Sequence, residues 1–327
     1  EVHQALEWAE QRSLEVRILG GGSNIVVSDA GIEGLALHVA IRGTHFETEA
    51  EAVLLRAAAG EPWDALVADA VERNLQGLEC LSGIPGFVGA TPIQNVGAYG
   101  QEVAETISLV RVLDRRSRKI VHLNNDQCRF EYRNSLFKSG DPERYVVLEV
   151  TYRLVPGGEP RVRYPELMHH LTERGVSGRP SLAEVRQSVL EVRRSKSMVF
   201  DVSDPNHRSC GSFFVNPVVS QSHCDAIEST ATDGTMPRYA QADGRVKIPA
   251  AWLIERAGFK RGDRFGCAGI SSRHSLALVC HQGARAEEVL LLARQIRDRV
   301  EQRFGVRLMP EPVFWGFSNL DDGLPVY

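Results

Sequence analysis

The 327-residue sequence has no apolar run near 18 residues, no C-x-x-C pair, no H-E-x-x-H and no block of basic residues. Without the long run, hydropathy gives no membrane-spanning helix. Without a basic block, and with a formal net charge of -4, a nucleic-acid partner is not expected. Cysteine is scarce. Cys80, Cys128, Cys210, Cys224, Cys267 and Cys280 are too spread for a disulfide scaffold and read as free, mostly buried thiols of a cytoplasmic protein. The ten histidines fall at no tight ligand spacing, and the adjacent His169 and His170 would face different sides of a helix, so no metal is expected. The opening EVHQALEWAEQ does not have the pattern of a signal peptide.

What is present is an ordinary globular mixture, 43% hydrophobic and 24% charged, on a chain long enough for two or three domains. One stretch stands apart: SGIPGFVGATPIQNVGAYG, residues 82–100, is Gly-rich and carries no charge. Its composition suits neither helix nor strand. Its Ile84, Phe87, Val88, Ile93 and Val96 do not suit a solvated linker. Buried irregular backbone remains, serving either as a ligand cradle with backbone N–H donors or as a tight domain junction.

Around it, Val2, Leu6 and Ala9 predict a helix over 2–12. Val16, Ile18 and Leu19 predict a short strand running into Gly20, Gly21, Gly22, Ser23 and Asn24. Strand followed by glycine turn is the layout of a phosphate loop, yet this is neither a P-loop nor a dinucleotide fingerprint, so ligand loop and plain turn both stay open. Residues 107–113 and 145–154 are the clearest strands. Helices are expected after Pro62, after Pro165, over 182–194 and over 286–304, the last closed by Gly305. Composition turns polar at 199–209, a plausible entry to a separate lobe. Three further stretches hold chemistry-bearing residues. CRFEYRNSLFK (128–138) presents Arg133 among aromatics. CGSFFVNP (210–217) sets Ser212 before two phenylalanines, outside any G-x-S-x-G frame. MPEP fixes Glu311 between two prolines. A surface charge, a buried serine and a stiff turn would look the same.

Taken together and in order, GGGSN, the 82–100 run, CRFEYRNSLFK, GSFFVNP, YAQADGRVKIPAAWLIE (239–255) and MPEP resemble the UDP-N-acetylenolpyruvoylglucosamine reductase family over nearly the whole chain. The resemblance implies an α/β (α+β) fold: a two-lobed FAD-binding domain of the vanillyl-alcohol-oxidase type and a separate α/β substrate lobe. It divides the chain into 1–39, expected to be incomplete at its N-terminus, 40–198 with 310–327, and 199–309 for substrate. It implies bound FAD, NADPH as hydride donor, a UDP-sugar substrate carrying an enol ether, and a monomer. Gly20, Gly21, Gly22, Ser23, Asn24, Ser82, Gly83, Ile84, Pro85, Gly86, Gly89, Ala90, Gln94, Asn95, Gly97, Ala98, Tyr99 and Gly100 would then surround FAD. Ser212 matches the proton donor, Arg133 the arginine that grips the substrate carboxylate, and Glu311 the acid paired with it. Tyr132, Tyr164, Lys196, Asn216, Tyr239 and Lys260 match positions along the sugar nucleotide. R-Y-P-E-L at 163–167 resembles the loop whose tyrosine marks one of the family's two types, with Pro165-Glu166 replacing the usual glycine-aspartate. Val215 stands where a lysine is usual. An O₂-using flavoenzyme of the same fold would need neither the serine acid nor the lysines, and a non-catalytic module would be indifferent to Ser212→Ala.

Overall fold

The computed structural model describes residues 1–176, 178–230, 236–317, 319–321 and 323–326. Residues 231–235 of the expected 199–309 lobe and the end of the expected tail lie outside it. The chain forms two compact units, residues 1–22 with 33–200, and residues 23–32 with 201–327.

In the first unit, α1 (Val2–Glu10) buries Leu6 and Ala9, as their spacing requires. It leads into the strand Val16–Leu19, which pairs in parallel with Leu35–His38. The main sheet is antiparallel in the order 120–124, 107–114, 145–156, 53–58, 44–48, and Leu75–Gln76 adds to the far end of Tyr145–Pro156. Val110, Val112, Leu55, Val150 and Leu154 are buried in its core. Helix α2 (Trp63–Glu72) starts at Pro62 and buries Trp63, Leu66, Val67, Ala70 and Val71. Trp63 also donates its indole N–H to Leu81 O at 3.0 Å, which fixes the chain entering the Gly-rich run. The short α3 (Asn125–Cys128) is held by a capping box between Asn124 and Gln127. Two further helices, α4 (Pro165–Glu173) and α5 (Leu182–Ser195), share a small core of Leu167, Leu171, Val185, Val189 and Cys80. Ser181 caps α5 with Glu184 as its box partner.

The second unit contains α6 (Gln221–Ser229), α7 (Ala250–Arg256) and α8 (Ala286–Phe304) with two three-stranded antiparallel sheets, 218–219/246–247/239–240 and 264–265/268–270/278–280. The apolar face of α8, Val289, Leu292, Ala293, Ile296, Val300 and Phe304, is its buried face. Asp29 Oδ2 accepts the Ala286 N–H at its start, 2.9 Å, and Gly305 takes the left-handed conformation (φ 64°) at its end. The strand Val313–Trp315 pairs in parallel with Ile25–Val27. That pairing puts the described part of the tail with residues 23–32 and 201–309. The family resemblance implies a tail beside 40–198 instead. The reason is long-range: the strand Ile25–Val27 finds its partner in Val313–Trp315, at the other end of the chain, and local pattern carries no trace of such a pairing.

Candidate active site

In the first unit the two Gly-rich segments touch. A Cβ on Gly21 would lie 2.8 Å from Gly86 Cα, so only glycine lets these backbones approach. A Cβ on Gly20 or Gly22 would meet nothing nearer than 3.9 Å, and Gly22 itself is left-handed at φ 70°. The run at 82–100 is irregular throughout, with one 3₁₀ turn (Val88–Ala90) and a two-residue strand (Gly97–Ala98). It is tied down from several sides. Asp64 Oδ1 accepts the Gly83 N–H at 2.6 Å, and Gly89 N–H donates to Ala59 O at 2.8 Å. A Cβ on Gly89 would lie 2.7 Å from that of Ala59. Thr91 and Tyr152 share a hydrogen bond at 2.7 Å beneath it. Ser82 and Asn95, both buried, spend their side chains on the fold: Ser82 Oγ donates to Glu79 O (2.7 Å), and Asn95 Nδ2 donates to Glu102 Oε2 (2.6 Å) and Glu131 O (3.1 Å). Ile84, Gln94 and Ala98 are half-buried, while Pro85, Ala90 and Gly100 are exposed.

The Glu131 contact brings the aromatic stretch to this loop. Glu131 and Asn134 exchange backbone hydrogen bonds at 3.1 Å, which presents Tyr132 and Arg133 at the tip of a tight turn. Arg133 holds a left-handed backbone, φ 55°, unusual for a residue with a side chain and frequent at functional sites. Its Nη2 donates to Gly97 O at 2.7 Å, and its guanidinium carbon lies 5.6 Å from the Tyr132 ring centroid. Lys138 Nζ donates to Arg133 O at 3.1 Å. Tyr164, the residue before α4, meets Tyr99 edge to face at 5.6 Å. Burial pushes the Tyr99 phenol up to about 12. Lys196, at the end of α5, lies 2.6 Å from the Glu166 carboxylate.

Arg193 belongs to this group although no sequence motif singled it out. Its Nη2 donates to Met198 O at 2.7 Å, and its Nε is buried without a hydrogen-bond partner. Burial pushes this guanidinium below its ordinary value. A Cβ on Gly83 would sit 3.3 Å from that Nε, so the loop lies directly over it. The available signal was its place four residues after Val189, at the edge of the apolar stripe of α5.

The second unit gathers the other candidates. Phe213, next to Ser212, donates its N–H to Leu276 O at 2.8 Å, and its carbonyl accepts the Glu311 N–H at 2.8 Å. Ser212 is bridged to Ala277, and Phe214 to Pro310. Phe213 and Phe214 are fully buried, which fixes the backbone that carries the serine. Asn24 Nδ2 donates to Glu311 O at 3.2 Å and Asn24 O accepts the Val313 N–H at 3.0 Å. So Ser212, Glu311 and Asn24, distant in sequence, stand on adjoining backbone. Ser23 belongs to this unit as well, while Gly20–Gly22 belong to the first. Asn216 Oδ1 accepts the Ala250 N–H at 2.9 Å and so caps α7, using its acceptor within the fold. Tyr239 lies in a short strand opposite Lys247, and Lys260 is exposed. Val215 donates its backbone N–H to Met309 O at 3.0 Å, a bond any residue but proline would make there. Among the described residues no three His, Cys, Asp or Glu side chains are grouped to hold a metal ion, and no helix is long and apolar enough to cross a membrane.

The first unit suits a dinucleotide cofactor. Two loops meet backbone to backbone at Gly21 and Gly86, and a buried guanidinium under Gly83 has a nitrogen without a partner. Backbone amides and one desolvated cation are what a diphosphate asks for. Residues 1–124 match the family described as an FAD binding domain. Residues 204–315 match the C-terminal domain of UDP-N-acetylenolpyruvoylglucosamine reductase. Proteins of that name from Salinispora arenicola and Thermobifida fusca are 48% and 46% identical over 93% and 92% of this chain, which covers 85% and 86% of their lengths. The chain belongs to the UDP-N-acetylenolpyruvoylglucosamine reductase family. The crystal structure of such a reductase from Thermus caldophilus shares the fold, with a TM-score of 0.61 at 24% identity over 96% of this chain and 90% of that one. The reductase family fold thus accounts for both units, an FAD-binding domain and an α/β lobe after it, the class the sequence predicts.

Proposed function

We propose that the protein reduces the enolpyruvyl group of UDP-N-acetylglucosamine enolpyruvate to UDP-N-acetylmuramate, with NADPH as donor, in peptidoglycan precursor synthesis. The observation that carries the reading is the joining of Ser212 to Glu311 through the Phe213 carbonyl, in the unit matched to the reductase C-terminal domain. Bound FAD would supply the redox chemistry, taking a hydride from NADPH and passing it to C3 of the enol ether. The remaining need is a proton at C2 and a partner for the charge that develops there.

Ser212 serves as the proton donor. A serine hydroxyl is a weak acid, and it functions only at short range from a fixed position. The Ala277 bridge and the buried phenylalanines provide the fixed position. Arg133 grips the substrate carboxylate with its planar fork, oriented by the Gly97 carbonyl. Glu311 completes the stabilisation by donating its carboxyl O–H to the developing enolate oxygen. Contacts of this kind are each worth roughly 2–4 kcal/mol in the transition state. Tyr132, Tyr164, Lys196, Asn216, Tyr239 and Lys260 line the path of the sugar nucleotide, with the two lysines facing its diphosphate, and Tyr164 marks the looped type. Gly20–Asn24 and 82–100 hold the cofactor. The separation of a first FAD-binding lobe at 1–39 from a second at 40–198, a monomeric state and a cytoplasmic location belong to the same proposal.

The test is anaerobic stopped-flow absorbance on the FAD-loaded protein. NADPH should bleach the flavin, and the enolpyruvyl sugar nucleotide should restore it. Restoration by O₂ but not by the sugar nucleotide would overturn the substrate assignment.

A further inference from the structure

We infer that Glu166 is an internal competitor for the diphosphate: it holds Lys196 in the free protein and must be displaced when a sugar nucleotide binds. The inference rests on the reading of Lys196 as a diphosphate ligand. Three observations in the first unit carry it. A Glu166 carboxylate oxygen stands 2.6 Å from Lys196 Nζ, so the ammonium already has an anion. Both side chains are partly open to solvent, 29% for Lys196 and 41% for Glu166, so the pair can exchange partners without uncovering a buried charge. Glu166 also lies in the first turn of α4, two residues after Tyr164, whose ring meets that of Tyr99 edge to face. The carboxylate therefore sits among residues assigned to cofactor and substrate, at the positive end of a nine-residue helix that holds it there.

The physical consequence is a competition. A single carboxylate in a partly solvated pair is a weak partner, while a diphosphate offers more charge and more acceptor oxygens. The nucleotide wins, but its apparent affinity is lowered by the equilibrium of the internal pair. A ligand without phosphate never meets the competition.

The experiment measures binding of UDP and of uridine to the oxidised FAD-loaded enzyme by calorimetry. Glu166→Gln keeps the shape and removes the charge. UDP should bind about fivefold tighter to it, the equivalent of about 1 kcal/mol, with uridine unchanged, which also reports an intact site. Lys196→Ala should weaken UDP, and adding Glu166→Gln to it should change nothing further. If Lys196→Ala weakens UDP while Glu166→Gln leaves it unchanged or weaker, the competitor role is wrong and the lysine reading stands. If Glu166→Gln tightens UDP equally in the Lys196→Ala background, the effect is general charge and the inference fails. If Lys196→Ala has no effect, the lysine reading fails and takes the inference with it.

Discussion

A serine donates a proton poorly, so the role proposed for Ser212 depends on position, and position is testable. Ser212→Ala should slow reoxidation of the reduced flavin by the sugar nucleotide about 10²–10⁴-fold, the usual range for loss of a general acid. Reduction of the flavin by NADPH should be unchanged, because that half needs no proton at C2. Equal slowing of both halves in stopped flow would remove Ser212 from the chemistry. Gly21 is decided by space alone. A methyl group there would press on Gly86 Cα at 2.8 Å, and neither neighbour is a flexible side-chain tip. Gly21→Ala should therefore force the two loops apart and weaken FAD at least about tenfold, an effect of about 1.4 kcal/mol. Flavin retained on gel filtration, beside an unchanged far-ultraviolet dichroism spectrum, reads this out. Full retention would mean that the contact is packing and not part of the cradle.

The elements show what local pattern can and cannot reveal. The 286–304 helix was legible because its apolar stripe, its acidic first turn and its closing glycine agree. The 82–100 run was legible as irregular backbone, since its composition rules out the alternatives. Partners were not legible. The Asp29 cap on α8, the Asn216 cap on α7 and the pairing of 313–315 with 25–27 all join residues whose separation leaves no periodic signal. Arg193 was hidden for a related reason: a cation at a helix end reads as a surface charge until the loop that covers it is known. A turn at the end of the strand Ile107–Asp114 offers a test at this scale. Arg144 donates to both oxygens of Asp114, at 3.1 and 2.8 Å, and the Arg116 N–H and Ser117 hydroxyl add to it. The Arg144 hydrogen bonds above all hold this carboxyl well below the usual carboxylate range. A folded-state value below the unfolded one adds stability above about pH 4, lost as pH falls toward the folded value. Asp114→Asn should cost about 2 kcal/mol at pH 7, and its urea midpoint should converge on that of the parent as pH drops below about 4. A gap that stays constant with pH would show that the turn depends on shape and not on charge.

At the scale of the molecule, the chain carries separate large cores, one around Leu55, Leu78 and Val150, the other around Leu253, Ile296 and Phe214. Units with their own cores can melt separately, and a ligand raises the transition of the unit that binds it. Leu78 and Leu253 are both fully buried, so Leu78→Ala and Leu253→Ala should each cost about 2–5 kcal/mol and mark which transition belongs to which unit. FAD at 100 times its dissociation constant adds about 2.7 kcal/mol to whatever it binds. Scanning calorimetry with and without FAD should then raise the Leu78-sensitive transition more than the Leu253-sensitive one, because the glycine contact and Arg193 lie in the first unit. The GGGSN motif makes the size of the difference informative, since its glycines fall in one unit and Ser23 and Asn24 in the other. If Ser23 and Asn24 also hold the cofactor, the second transition rises too, and Asn24→Ala abolishes that rise while leaving the first in place. A larger rise in the Leu253-sensitive transition would place the cofactor with Ser212 and Glu311, and would overturn the assignment of 20–22 and 82–100 as its cradle.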